Sequence, residues 1–238
     1  MASRWDTTQT GDGGMVARQL EEIHSVVAAA AARAGRPLEE ITLVAVSKGR
    51  LPEAILEAYG RGQRDFGENR AQELAEKAAV LPDDIRWHFI GSLQTRQVKT
   101  AAPHTHLLHS LDRVRLIDTW AGIPDRSPAL LQVNIAAEPQ KHGAAPDEVR
   151  SLLEHARSVG VECVGLMAMP PQVERAEDNR RWFKALADMR RELSTTFPEL
   201  THLSMGMTDD YEVAIEEGAT LIRVGRAIFG EPGDTGKD

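Results

Sequence analysis

Lys48 is the residue whose type and position could support covalent chemistry. It ends the run Ile41-Thr-Leu-Val-Ala-Val-Ser-Lys48 and is followed at once by Gly49. The run is apolar and rich in β-branched residues, which predicts a strand buried on both faces. An amine at the C-terminal lip of such a strand, partly stripped of water, titrates lower than usual. It can then attack a carbonyl and form a Schiff base. The plain alternative is a solvated lysine that merely ends a strand, so the chemistry needs partners. Two segments near the other end of the chain offer them: Ser204-Met-Gly206-Met207 and Arg223-Val-Gly225-Arg226. Glycines let backbone N–H groups approach an anion, a serine hydroxyl adds a donor, and a helix start adds a favourable dipole. Ordinary turns would also explain Gly206 and Gly225.

The elements that must bring these segments together follow a regular rhythm. A first helix is marked by Val16, Leu20, Ile23, Val27 and Ala30 at helical spacing, closed by Gly35 and Pro37. Short apolar runs then alternate with amphipathic stretches. The strand windows are Ile41–Lys48, Asp65–Asn69, Arg86–Gly91, His106–Ser110, Ala129–Ile135, Val161–Met169, His202–Met207 and Thr220–Phe229. Between them run helices, one opened by Pro52, one over Arg70–Val80, and others over Gln94–Ala101, Val114–Trp120, Pro146–Ser158, Asp178–Thr196 and Asp209–Glu217. Asp112 is the expected cap of the helix at Val114. Eight alternating units predict an all-parallel sheet with right-handed crossovers, closed as a single (β/α)8 TIM barrel with an extra N-terminal helix. A doubly wound open sheet is the runner-up, weakened because no Gly-x-Gly-x-x-Gly follows the first strand. Residues 15–232 would form this one domain, and residues 1–14, rich in Thr, Gly and Asp, a flexible tail.

In a barrel, the residues at strand C-terminal ends converge on one mouth. Lys48, Asn69, the Gly91–Gln94 loop, Asn134, Met169, Ser204, Gly206 and the segment 223–226 would meet there. Phosphate sites in such barrels commonly use the loops after strands seven and eight, which here carry the glycines. A lysine facing a phosphate cradle is what pyridoxal 5′-phosphate (PLP) requires, with a third group setting the protonation of its ring nitrogen. Arg223 could be that group, because a guanidinium beside the pyridine nitrogen keeps it unprotonated and weakens the electron sink. A strand-end salt bridge explains Arg223 equally well.

Composition narrows the classes of function. With 238 residues and a net charge of −8, the chain can bury a large core. It has no basic stretch interleaved with aromatics, so neither nucleic acid nor a membrane is an expected partner. No apolar run is long enough to span a bilayer, and the first residues lack a signal-peptide core. The single cysteine, Cys163, excludes intrachain disulfides, suits a reducing cytoplasm, and reads as a small buried hydrophobe. His104, His106 and His109 lack the carboxylate or cysteine of a recognisable zinc spacing and read as surface or rim residues. His88 reads as a packed, hydrogen-bonded barrel residue. Asp209 and Asp210 look like first-turn acids of a capped helix, and Glu73, Glu76 and Lys77 like a solvated helix face. Met167, Met169, Met205 and Met207 could surround a flat ring, although strand packing accounts for some of them.

Ordered motifs carry a resemblance. Val46-Ser-Lys48, Phe66-Gly-Glu-Asn69, Trp87-His-Phe-Ile-Gly91 with Leu93-Gln94, Gly165-Leu-Met-Ala-Met169, Leu203-Ser-Met-Gly-Met207 with Asp209-Asp210, and Arg223-Val-Gly225 with Ile228-Phe-Gly230 resemble the pyridoxal phosphate homeostasis (YggS/PROSC-like) family from about Ile41 to Gly230. The resemblance implies a barrel like the N-terminal domain of alanine racemase and PLP held as an imine on Lys48. It also implies a role in cofactor buffering, with PLP-dependent apoenzymes as possible recipients, and little or no turnover. It further implies that Asn69 lies beside the cofactor and that Arg223 faces the ring nitrogen. Ser204, Gly206, Gly225 and Arg226 would bind phosphate. Arg226 stands where the family commonly has a small hydroxyl residue, so a backbone contact survives there and a hydroxyl contact does not. Ser92, Arg96 and His142 also depart from the usual pattern and alter the outer mouth.

Three observations favour a carrier over an enzyme. The chain ends at the barrel, no tyrosine stands at a strand end (Tyr59 and Tyr211 fall in helical stretches), and Arg223 disfavours a carbanion sink. A monomer is expected. One rival is a PLP-dependent racemase or decarboxylase whose missing acid comes from a partner subunit. The other is a phosphosugar isomerase without PLP, for which Glu68 is the evident carboxylate base.

Overall fold

The computed structural model describes residues 14–230, and the expected tail falls outside them except for Gly14. Eight parallel strands close on themselves in sequence order: β1 (Thr42–Val46), β2 (Asp65–Glu68), β3 (Arg86–Phe89), β4 (Leu107–Leu111), β5 (Ala129–Val133), β6 (Cys163–Ala168), β7 (His202–Ser204) and β8 (Leu221–Val224). The closing pair is β1 with β8, in register from Thr42 opposite Leu221 to Ala45 opposite Val224. That closure excludes the open doubly wound sheet.

Outside the strands lie α1 (Met15–Arg33), α2 (Pro52–Gly60), α3 (Ala71–Ala78), α4 (Val98–Ala101), α5 (Val114–Ala121), α6 (Val149–Ser158), α7 (Arg180–Leu193), α8 (Tyr211–Glu216) and α9 (Arg226–Phe229). Each amphipathic helix turns its apolar stripe onto the barrel wall. Strand alternation sorts the residues into two cores. Outward-facing Leu43, Ala45, Phe66, Phe89, Leu131, Leu166, Leu203 and Ile222 pack under the helices. Val44, Leu107, Leu130, Met167 and Leu221 fill the barrel interior as a second, smaller cluster. α1 stands outside the eightfold repeat and packs on α2, α8 and α9. It ends where expected, at Gly35 with φ +63°.

The sequence windows differ from the elements mainly at their C-terminal ends. Thr220–Phe229 is not one strand: β8 stops at Val224, Gly225 breaks it, and Arg226–Phe229 is a helical turn. Asp112 does not cap α5, because its carboxylate pairs with Arg113, the residue that occupies the cap position. Cys163 is buried as expected, and burial pushes its thiol up to about 12. Among the described residues, no helix is long and apolar enough to cross a membrane.

Candidate functional site

The mouth of the barrel is built from the residues just past the strand ends. Val46 is in register with Gly67, so Lys48 and Asn69, two residues further along, leave β1 and β2 at the same level of the rim. Ser47 faces the helix layer, its hydroxyl donating to Glu68 at 2.7 Å and its backbone N–H to the Gly67 carbonyl. Alternation along the chain puts Lys48 on the opposite, axial side. Lys48 is exposed to solvent, so the residue is not stripped of water as the sequence suggested. Gly49 donates its N–H to Glu73 at 2.5 Å, and the buried Lys77 ammonium donates to the Ser47 carbonyl, Glu68 and Glu73 at 2.6–2.8 Å. Lys77 and Glu73 are therefore not a solvated helix face. They clamp the peptide on both sides of Lys48. Glu68 is fully buried in this clamp, and burial raises its pKa despite Lys77 beside it. That burial removes it as the mouth carboxylate an isomerase would need.

Asn69 lies at the rim, and its buried Oδ1 accepts no hydrogen bond from the described residues. A ligand donor would satisfy it. Gly91 crosses directly above, where a Cβ would lie 2.2 Å from the Asn69 carbonyl oxygen. Asn134, by contrast, is occupied in closing its own loop, bonding the backbone of Glu138 in both directions.

The loops after β7 and β8 meet β1 from the other side. Gly206 has φ +90°, and a Cβ there would sit 2.6 Å from the Ala214 methyl, so both the conformation and the packing require glycine. Asp210 is not a first-turn acid. It is buried, accepting the Met207 N–H at 2.7 Å and the Asn179 amide at 2.8 Å, and so fixes the 206–210 loop. A Cβ at Gly225 would lie 3.3 Å from Val46, immediately before the lysine turn. The Arg226 side chain swings outward to Asp209 at 2.5 Å, leaving its backbone as what it can offer the mouth. Met169 and Met207 are exposed at the rim, whereas Met167 and Met205 are core residues.

Arg223 is buried beneath this rim. Its Nη1 donates to the Ser204 hydroxyl at 2.5 Å and its Nη2 to the Ala168 carbonyl, at the end of β6, at 3.0 Å. Burial lowers its pKa to about 10, with Asp210 acting in the opposite direction, so it stays charged at neutral pH. The Ser204 oxygen is also fully buried and lies 2.8 Å from His109 Nδ1. His109 Nε2 is 2.9 Å from His88 Nδ1, and His88 Nε2 is 3.1 Å from Asp65. His88 is thus the packed, hydrogen-bonded residue expected, but His109 is not at the surface or rim: β4 alternation buries it completely inside the barrel. His104 is half-buried, and His106 is exposed with its ring edge-on to His88 at 5.8 Å. Among the described residues, no group of His, Cys, Asp or Glu could hold a metal ion. The link from His109 to Ser204, 95 residues away, could not be read from spacing. The signal present was a histidine at an inward position of an otherwise apolar strand.

A lysine turn and two anion-tolerant glycine loops over a buried guanidinium define a (β/α)8 barrel of the alanine racemase N-terminal type. No family model matches the chain. Pyridoxal phosphate homeostasis proteins of Aquifex aeolicus and Homo sapiens are 42% and 38% identical to it, covering 91% and 89% of the chain and 96% and 85% of their own lengths. Among solved structures, PipY of Synechococcus elongatus with PLP bound is 34% identical at a TM-score of 0.75, covering 90% of this chain and all of that one. A lysine/ornithine decarboxylase of Vibrio vulnificus, 15% identical at a TM-score of 0.65, shares the fold over 86% of this chain and 62% of its own. The chain belongs to the pyridoxal phosphate homeostasis protein family.

Proposed function

We propose that the chain holds PLP as an imine on Lys48 and serves intracellular PLP homeostasis with little or no turnover. The observation that carries this reading is the convergence on one rim of Lys48, the unpartnered Asn69 oxygen and the Gly206 and Gly225 loops, with Arg223 below. When bound, PLP supplies an aldehyde for the lysine and a pyridine ring that can delocalise electrons. The chain's residues fix how it sits. Lys48 would hold the aldehyde carbon, and Asn69 would lie beside the ring. Gly206, Gly225 and the Arg226 backbone bring N–H groups to the phosphate, and Ser204 stands beneath them holding Arg223. Arg223 would offer a permanent donor to the ring nitrogen. That donor keeps the nitrogen unprotonated and opposes carbanion formation, which favours a carrier over a racemase or decarboxylase. The relatives' names and the PLP-bound PipY support the same reading. It extends to a monomeric cytoplasmic protein of one barrel domain, residues 15–232, that passes PLP to PLP-dependent apoenzymes.

Borohydride reduction followed by mass spectrometry should find a pyridoxyl adduct on Lys48, and Lys48→Ala should abolish both the adduct and the imine absorption. Isotope exchange at the α-carbon of amino acids should stay at background. Robust racemisation of any amino acid would overturn the carrier reading.

A further inference from the structure

A chain of polar side chains runs along the barrel axis from its N-terminal floor to its mouth. Asp65, the first residue of β2, accepts two bonds from Arg86 and one contact from His88. His88, His109, Ser204 and Arg223 follow in single file, each within 3.1 Å of the next. His88, His109, Ser204 and Arg223 are all buried, so each link is made within the protein.

With both imidazoles neutral, the two ends of the chain determine its direction. Asp65 is ionised: burial would raise its pKa, but the bonds from Arg86 and His88 outweigh burial and hold it well below the usual range. An ionised carboxylate only accepts, and a guanidinium only donates. There are four links, and one hydrogen each from Arg223, Ser204, His109 and His88 to fill them if both imidazoles are neutral. His88 must then donate from Nε2 to Asp65, leaving its Nδ1 to accept from His109 Nε2. His109 Nδ1 accepts the Ser204 hydroxyl, whose oxygen lone pairs face Arg223. Every link is satisfied and every hydrogen used. Burial lowers the pKa of His109, consistent with a neutral ring.

We propose that this one-way hydrogen-bond chain orients the Arg223 guanidinium at the mouth, with His109 as the positioning residue. Without His109 the Ser204 hydroxyl hydrogen would turn freely, including toward Arg223, and the guanidinium would keep only the Ala168 carbonyl as a fixed partner. The inference deepens the PLP reading, since the group that Arg223 presents its free N–H groups to is the ring nitrogen.

Two variants test it. His109→Phe keeps the ring volume and removes both nitrogens, whereas His109→Gln keeps one acceptor and one donor at similar spacing. In the PLP-free protein, nitrogen NMR should find His88 and His109 as neutral Nε2–H tautomers. It should also find separate, slowly exchanging Nη signals for Arg223 in the wild type and His109→Gln, merged in His109→Phe. In the loaded protein, His109→Phe should shift the imine absorption band and weaken PLP retention by about tenfold, the scale of one lost hydrogen bond, and His109→Gln should restore both. A charged or Nδ1–H imidazole at either position overturns the chain. Arg223 signals unchanged in a folded His109→Phe, or equal loss in both variants, overturn the positioning role. If the wild type forms no Lys48 adduct, the PLP reading fails, and the NMR measurements still decide this proposal independently.

Discussion

Lys48 owes its place to groups that never reach the mouth. Buried Glu68 and Lys77 with half-buried Glu73 form a knot of two carboxylates and one ammonium that pins the Ser47 carbonyl and the Gly49 N–H. Removing the ammonium leaves Glu68 without its counter-charge in a dry site. Lys77→Met should therefore lower unfolding free energy by about 3 kcal/mol, measured by urea denaturation. Adding Glu68→Gln should recover much of the loss, since an uncharged pair needs no partner charge. Residue by residue, the sequence made the mouth legible because strand ends and glycines carry local signals. Lys48, Gly206, Arg223 and Gly225 could be named from spacing alone. The knot and the axial histidines could not, because their partners come from different strands and a helical Glu73…Lys77 pair looks the same whether it faces water or a barrel wall.

Elements set the shape of the anion loops. The short β7 strand ends at Ser204, and the chain must reverse into α8 within a few residues, which the positive φ of Gly206 and the Asp210 bond to the Met207 N–H accomplish. Gly206→Ala meets both obstacles at once: a left-handed backbone and a Cβ 2.6 Å from Ala214. A loss of about 2 kcal/mol or more is expected, read as a lower thermal midpoint, together with weaker retention of PLP. The alternation of strands and helices was clear in the sequence from periodicity. Their ends were less so, because Met207 and Phe229 are apolar whether they continue a strand or begin a loop or helix. Apolar character marks burial, and it was the glycines at 206 and 225 that decided where β7 and β8 stop. The cap at Asp112 failed for a similar reason: an adjacent arginine competes for the carboxylate.

At the scale of the whole molecule, the barrel was legible because eight strand–helix units in this length leave few alternatives. Its interior was not, since inward and outward apolar residues look alike in a strand buried on both faces. The axial chain makes acid stability a property of the whole barrel. Asp65 titrates lower in the folded protein than its ordinary value of 3.8. Unfolded chains therefore bind more protons as pH falls, so the stability Asp65 contributes is full above about pH 4 and is lost below it. Asp65→Asn should lower stability at neutral pH and flatten the acid limb of a pH-denaturation curve.

The first helix lies across the seam that closes the barrel, touching α2 at one end of the fold and α8 and α9 at the other, with Arg33 paired to Glu212 and Glu216. Its principal partners are made long after it. On the ribosome, that amphipathic segment emerges long before α8 and α9, so the part of its apolar stripe that they cover stays open until β8 has left the exit tunnel. Newly made chains are thus most exposed to chaperones and proteases late in synthesis, and any pause before the eighth unit prolongs that window.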